Sequence, residues 1–168
     1  NFWIDGRADA LNQVIESVDV VFVDEGEARG LSGEANLVRA ARQVMRRGPS
    51  TVVVKRGSHG VLLFRGEHIF AAPAFPLEGV TDPTGAGDSF AGGFMGYLAS
   101  TGDLSHEGFQ RATVLGSVMG SFTVESFSMG RLGGLDRDTI DARFRAFTGL
   151  SQFRPLGADD SLPWRCEE

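Results

Sequence analysis

Hydrophobic and polar positions along the chain fall into blocks with the lengths of strands and helices. Val20-Val21-Phe22-Val23 is an unbroken β-branched and aromatic run, the pattern of a strand buried on both faces of a parallel sheet. It predicts a strand whose carboxyl end meets the acidic turn Asp24-Glu25-Gly26-Glu27. Leu37, Ala40, Ala41, Val44 and Met45 then recur at helical spacing until Gly48-Pro49 stops them, as a C-cap glycine and a helix breaker should. That predicts an amphipathic helix with Arg39, Arg42, Arg46 and Arg47 left to solvent. Thr51 to Val54, Val61 to Phe64 and His68 to Ala72 read as further strands, joined by a glycine-bounded turn from Lys55 to Gly60 and a tight connection at Arg65-Gly66-Glu67.

After the irregular stretch punctuated by Pro73, Pro76 and Pro83, the period becomes helical again. Ser89 to Ser100 puts Phe90, Phe94, Tyr97 and Leu98 on one face and Gly92, Gly93 and Gly96 on the other, where a closely approaching neighbour would offset the cost of glycine. A helix from about His106 to Glu125 is apolar nearly all round, with Ala112, Gly116 and Gly120 in a row suited to tight helix packing. Asp138 to Phe147 reads as a last short helix, and Ser151 to Glu168 is weakly patterned. The alternation of strand, helix, strand and hairpin gives an α/β chain.

Composition narrows the function. Sixteen basic against 22 acidic residues leave a net charge of −6, which speaks against nucleic acid as a partner. No apolar run approaches the roughly 20 residues that span a bilayer, so no membrane role is expected. Cys166 is the single cysteine; it excludes an intramolecular disulfide and a cysteine-based zinc cage, fits a cytoplasmic setting, and in a loose tail makes a poor nucleophile. The opening Asn1-Phe2-Trp3-Ile4-Asp5 lacks an initiator Met and carries aromatic bulk that belongs in a core, so the 168 residues read as a piece of a larger domain with Phe2 and Trp3 inside it.

The chemistry concentrates in Asp82-Pro83-Thr84-Gly85-Ala86-Gly87-Asp88-Ser89-Phe90. Small residues ahead of a helix let its first free N–H groups converge on an anion, and the helix dipole adds to the attraction; phosphate suits such a site. Asp88 would repel phosphate as a mere ligand and makes more sense as a base acting on a hydroxyl nucleophile. The plainer alternative makes Asp88 an N-cap and the glycines a tight turn. Lys55 is the chain's single lysine and is followed by Arg56 rather than Ser or Thr, so there is no P-loop; Phe90 stands where a dinucleotide fingerprint needs its third glycine. A hydrolase built on Gly87-Asp88-Ser89 and Asp103-Leu104-Ser105-His106 is a further alternative, but one helix of about 17 Å would hold Ser89 and His106 apart. His59, His68 and His106 lack metal-ligand spacing.

The segment from Asp82 to Phe94 resembles the signature of the ribokinase-like (PfkB) carbohydrate kinases, in which D-T-x-G-A-G-D-x-F precedes the catalytic helix. Asp24-Glu25-Gly26-Glu27 resembles the family's N-x-x-E magnesium motif, and Lys55-Arg56-Gly57-Ser58-His59-Gly60 its nucleotide-binding turn. The resemblance runs from Phe2 to about Phe147, over the latter half of a typical member. It implies a three-layer αβα fold with a mainly parallel sheet, truncated at its N-terminal side. Residues 1–150 would be the nucleotide-binding and catalytic portion and 151–168 a C-terminal tail.

It further implies ATP-dependent phosphorylation of a hydroxyl on a small sugar, nucleoside or related polyol. Asp88 would be the base, and Gly85, Ala86 and Gly87 the anion hole. Lys55, Gly57, Gly60 and Thr84 would bind nucleotide. Glu27 would organise Mg2+ through water with Asp24 nearby, and Asp82 with Thr84 would border a site for a monovalent cation such as K+. Two departures stand out: Asp24 replaces the usual Asn, adding charge, and no Asn lies near Arg111 to Thr113, where the family lines its adenine pocket. A non-catalytic nucleotide-binding remnant stays open as an alternative, and a homodimeric complete protein is compatible with the resemblance. Alone, the chain is expected to release no ADP in response to an acceptor.

Overall fold

A computed structural model describes residues 2–152. Asn1, the side chain of Phe2, and the tail with Cys166 lie outside the described residues, and so do the expectations placed on them. In chain order the elements are α1 (Phe2–Gly6), α2 (Ala8–Ser17), β1 (Val20–Asp24), α3 (Glu25–Ser32), α4 (Leu37–Met45), β2 (Thr51–Lys55), β3 (Val61–Arg65), β4 (His68–Ala72), α5 (Ala86–Thr101), α6 (His106–Thr123) and α7 (Arg137–Ser151). The four strands form one sheet in the order β1-β2-β3-β4.

Alternation along the strands builds two cores. Val23, Val52, Val54 and Phe64 face Ile15, Ala28, Ala40, Ala41 and Val44 of the helices α2, α3 and α4. On the opposite face Val53, Val61, Leu63 and Ala72 meet Phe90, Phe94 and Leu98 of α5 and Phe109 and Ala112 of α6. Three layers result, as the resemblance implies. The sheet is mixed rather than mainly parallel among the described residues: β1 and β2 run parallel through the α3–α4 crossover, while β2/β3 and β3/β4 are antiparallel. The connections at Arg56–Gly60 and Gly66–Glu67 are too short for anything but a hairpin.

Glycine is required where backbones touch. Gly60, at φ +84°, would drive a Cβ into the Ala72 carbonyl oxygen and within 2.8 Å of Pro73. Gly66, at φ +54°, has open space around it. Gly60→Ala is therefore expected to destabilise the fold by about 3 kcal/mol, and Gly66→Ala by about 1 kcal/mol. Urea unfolding of the two variants of the complete protein measures the difference; equal midpoints would contradict the close approach of the β2–β3 turn to β4. Gly116 and Gly120 do what their spacing predicts: a Cβ would stand 2.8 Å from the Phe90 carbonyl oxygen and 3.2 Å from that of Ala86, so α6 lies directly on α5.

Several expectations need correction. Asp24-Glu25-Gly26-Glu27 is the start of a helix rather than a turn, with Asp24 as its N-cap. The helix α5 starts at Ala86, three residues before the expected Ser89, because Gly85 takes the left-handed cap conformation at φ +79°. Of the three glycines on its thin face, Gly93 alone is closely approached, by Met119; a Cβ on Gly92 or Gly96 would meet nothing within 4 Å. The last helix extends through Ser151 rather than ending at Phe147. Trp3 is 56% exposed rather than core, since the short α1 turns Ile4 toward Gly30 and Trp3 elsewhere. Arg47 is not on the solvated face: it follows the helix end and donates to the Leu31 carbonyl and to Asn12. Arg39 and Arg42 do stay outside, paired with Glu34 and Glu67. His68 and His106 are exposed surface rings, tilted 47° to one another with centroids 3.8 Å apart.

Candidate active site

The parallel pair β1/β2 ends with Asp24 opposite Lys55. Open α/β sheets bind ligands beyond the carboxyl ends of such strands. The helix α5 is aimed at the same end, because Phe90 and Phe94 pack edge-on against Phe22 of β1, with ring centroids 6.1 and 5.1 Å away. Its first turn therefore lies beside the strand ends.

That first turn is open. Ala86 donates to the Pro83 carbonyl and Ser89 to that of Gly85, but among the described residues the N–H groups of Gly85, Gly87 and Asp88 find no acceptor. Helix geometry directs such free amides outward along the axis, where an anion would complete them. Lys55 reaches into the same place: a Cβ on Gly87 would stand 2.7 Å from its Nζ. The only lysine of the chain and three unsatisfied amides thus converge, and Gly87 is the residue that leaves room for the ammonium.

Asp88 occupies the third position of α5 and is exposed. It does not cap the helix, since the N-cap is Gly85 and no side chain caps this end, which corrects the plainer alternative. Among the described residues its carboxylate takes no hydrogen bond and no ion pair, and its one structural contribution is that of an acid in the first turn of a helix, favoured by the helix dipole. Asp82, by contrast, is engaged: the Thr84 N–H donates to its Oδ1 at 2.9 Å. The Thr84 hydrogen bonds, with a further one from the Ser128 backbone, hold its carboxyl below the usual carboxylate range. The loop carrying Asp82 hangs from the end of α6, through Thr81 N–H to the Val124 carbonyl at 2.8 Å and Thr81 Oγ1 to that of Glu125 at 3.0 Å.

Asp24 and Glu27 are brought together as a capping box: Glu27 N–H donates to Asp24 Oδ1 at 2.7 Å and Asp24 N–H to Glu27 Oε2 at 3.0 Å. This explains why an Asp serves where the family signature has Asn, since both side chains cap a helix well. Gly57 and Gly60 shape the β2–β3 turn through their positive φ angles, and the needs of the fold alone account for Gly60. No residue pattern signals the φ of +58° at Ser128, a non-glycine residue whose backbone hydrogen-bonds Asp82. Nor does any pattern reveal that Glu25 and Arg56 meet, with Arg56 Nε donating to Glu25 Oε1 at 2.8 Å. Only the register of β1 with β2 could have suggested it.

Ser89 lies in the first turn of α5, and His106 begins α6 beyond the far end of α5. The rest of one unbroken helix, about 18 Å long at 1.5 Å per residue, lies between the two positions. No helix among the described residues is long and apolar enough to cross a membrane.

Comparison with known proteins converges on one family. The model of the pfkB family carbohydrate kinases matches residues 1–131. The cytidine kinase of Thermococcus kodakarensis is 42% identical over 91 residues, covering 53% of this chain and 32% of that protein. An Arabidopsis thaliana ribokinase is 32% identical over 102 residues, covering 57% of this chain and 26% of its own length. The crystal structure of aminoimidazole riboside kinase from Salmonella enterica, complexed with aminoimidazole riboside and an ATP analogue, superposes with a TM-score of 0.74 at 26% identity, covering 83% of this chain and 46% of that one. The chain spans less than half the length of each.

Proposed function

The chain belongs to the pfkB family of carbohydrate kinases, and from that premise we propose that it supplies the nucleotide and phosphoryl-transfer half of an ATP-dependent kinase acting on a hydroxyl of a small sugar, nucleoside or related polyol. The observation that carries this reading is the open first turn of α5, where three unsatisfied amides and the Lys55 ammonium surround the space at Gly87. That set fits the terminal phosphoryl group of ATP and the charge it develops in transfer.

Asp88, exposed and uncommitted, accepts the proton of the acceptor hydroxyl as that oxygen attacks the γ-phosphorus and the bond to the ADP oxygen breaks. Lys55 holds the oxygens of the transferred group, and the amides of Gly85, Gly87 and Asp88 complete their hydrogen bonding. Bound Mg2+ would neutralise charge on the β- and γ-phosphates. Among the described residues no three His, Cys, Asp or Glu side chains gather into a metal cage, which fits an ion held mainly by phosphates and water with one or two carboxylates near. Glu27, with Asp24 hydrogen-bonded beside it, would supply that carboxylate, and Asp82, held by the Thr84 N–H, would border a monovalent cation. The turn from Lys55 to Gly60 holds the nucleotide.

The test is release of ADP by the complete protein against a panel of sugars and nucleosides, with the cations varied. Glutamine at the third helical position preserves a capping box, so Glu27→Gln removes charge and keeps the helix. It is expected to raise the Mg2+ concentration needed for half-maximal activity, and replacing K+ by a bulky organic cation is expected to lower the wild-type rate. Indifference to both changes would remove Glu27 and Asp82 from the cation assignments, with Asp24 the first suspect.

A further inference from the structure

The segment bearing the metal-side carboxylates and the turn assigned to nucleotide are tied by an ion pair between Glu25 and Arg56, two residues given no role of their own above. Glu25 is the first residue of α3, between the N-cap Asp24 and Glu27, and Arg56 is the residue after Lys55. Arg56 Nε donates to Glu25 Oε1 at 2.8 Å, and Arg29 Nη1 donates to the other oxygen, Oε2, at 3.3 Å. Arg29 is in turn anchored, its Nε donating to the Ala35 carbonyl at 3.1 Å. The Arg56 hydrogen bond is the foremost reason that the Glu25 carboxyl lies below the usual carboxylate range. The turn that Arg56 opens is closed on itself: Arg56 N–H donates to the Gly60 carbonyl at 2.8 Å, and His59 N–H to that of Arg56 at 3.0 Å. These two bonds close the turn into one hydrogen-bonded unit that begins at Arg56. Neither partner is buried, with side chains 32% and 33% exposed, so the pair contributes little to global stability.

We propose that Glu25 is a positioning residue for nucleotide: by gripping Arg56 it fixes the closed Arg56–Gly60 turn, and the end of β2 that carries Lys55, relative to the α3 carboxylates. The inference rests on the reading of this site as a kinase nucleotide site. It assigns Glu25 no contact with ATP and makes its effect act wholly through Arg56.

A double-mutant cycle on the complete protein tests it, read as the equilibrium dissociation constant of Mg·ATP by titration calorimetry, with thermal unfolding run alongside. Glu25→Gln and Arg56→Met are each expected to weaken nucleotide binding about three- to fivefold, the size of the coupling in an exposed ion pair. The double variant is expected to be no weaker than either single one. The exchange of charges, Glu25→Arg with Arg56→Glu, is expected to recover part of the loss, and all four unfold at the wild-type temperature. Additive losses, an unchanged dissociation constant in Glu25→Gln, or losses that track a lowered unfolding temperature would each overturn the inference while leaving the kinase reading intact. A wild-type protein that binds no adenine nucleotide would overturn both.

Discussion

Asp88→Asn in the complete protein is expected to lower turnover by about 10²- to 10⁴-fold, the contribution typical of a general base, while leaving ATP affinity close to wild type. The substitution keeps the size of the side chain and removes its ability to take a proton. Asp88 caps no helix and pairs with no cation among the described residues, so the fold loses only the small attraction of its charge to the helix dipole. The loss should therefore fall on kcat rather than on the unfolding temperature, and kcat and kcat/KM should drop together. Steady-state kinetics beside a nucleotide titration separate the two effects. Near-normal kcat in this variant would take the base assignment away from Asp88.

Lys55→Met should cost nearly as much by a different route. Its ammonium lies 2.7 Å from where a Cβ of Gly87 would be, beside amides that have no other acceptor. Removing one preorganised donor of this kind typically costs about 10²- to 10³-fold in rate, and methionine keeps most of the stem that packs beneath it. Because the lysine also meets phosphate in the ground state, ATP affinity should fall as well. Gly87→Ala gives the complementary perturbation. The added methyl collides with the flexible far end of Lys55, so the fold survives while the ammonium is displaced. A Gly87→Ala protein as active as wild type would mean that Lys55 does not work at this position.

Most of the layering was legible in the sequence. The runs at Val20, Thr51 and Val61 give β1, β2 and β3 within a residue of their ends, and the row Ala112, Gly116, Gly120 does lie on α5. Less legible was whatever depends on caps and partners. The helix α3 begins with Glu25, Gly26 and Glu27, a poor helical pattern that stands through the Asp24–Glu27 capping box. The early start of α5 depends on the left-handed Gly85, which local spacing does not reveal. Trp3 was misplaced because aromatic bulk signals burial without saying which side of a short helix is covered.

The site divides in the same way. The Gly85–Asp88 motif could be read as an anion site from the residues alone. The convergence of Lys55 on Gly87 could not, because it requires the β2 register and the tilt of α5 that Phe22, Phe90 and Phe94 set. β1 stands at the edge of the sheet and Gly92 and Gly96 are uncovered among the described residues, in a chain that spans less than half the length of the relatives it matches.

The most direct test follows the phosphoryl group itself. The complete protein is incubated with ATP labelled at the γ-phosphate, Mg2+ and K+, with and without each sugar or nucleoside, and the label is traced to phosphorylated acceptor or to inorganic phosphate. Label is expected on the hydroxyl of at least one acceptor in the wild type, and on none in Asp88→Asn. Label that appears only as inorganic phosphate, or an acceptor phosphorylated equally well by both proteins, would contradict transfer at the first turn of α5.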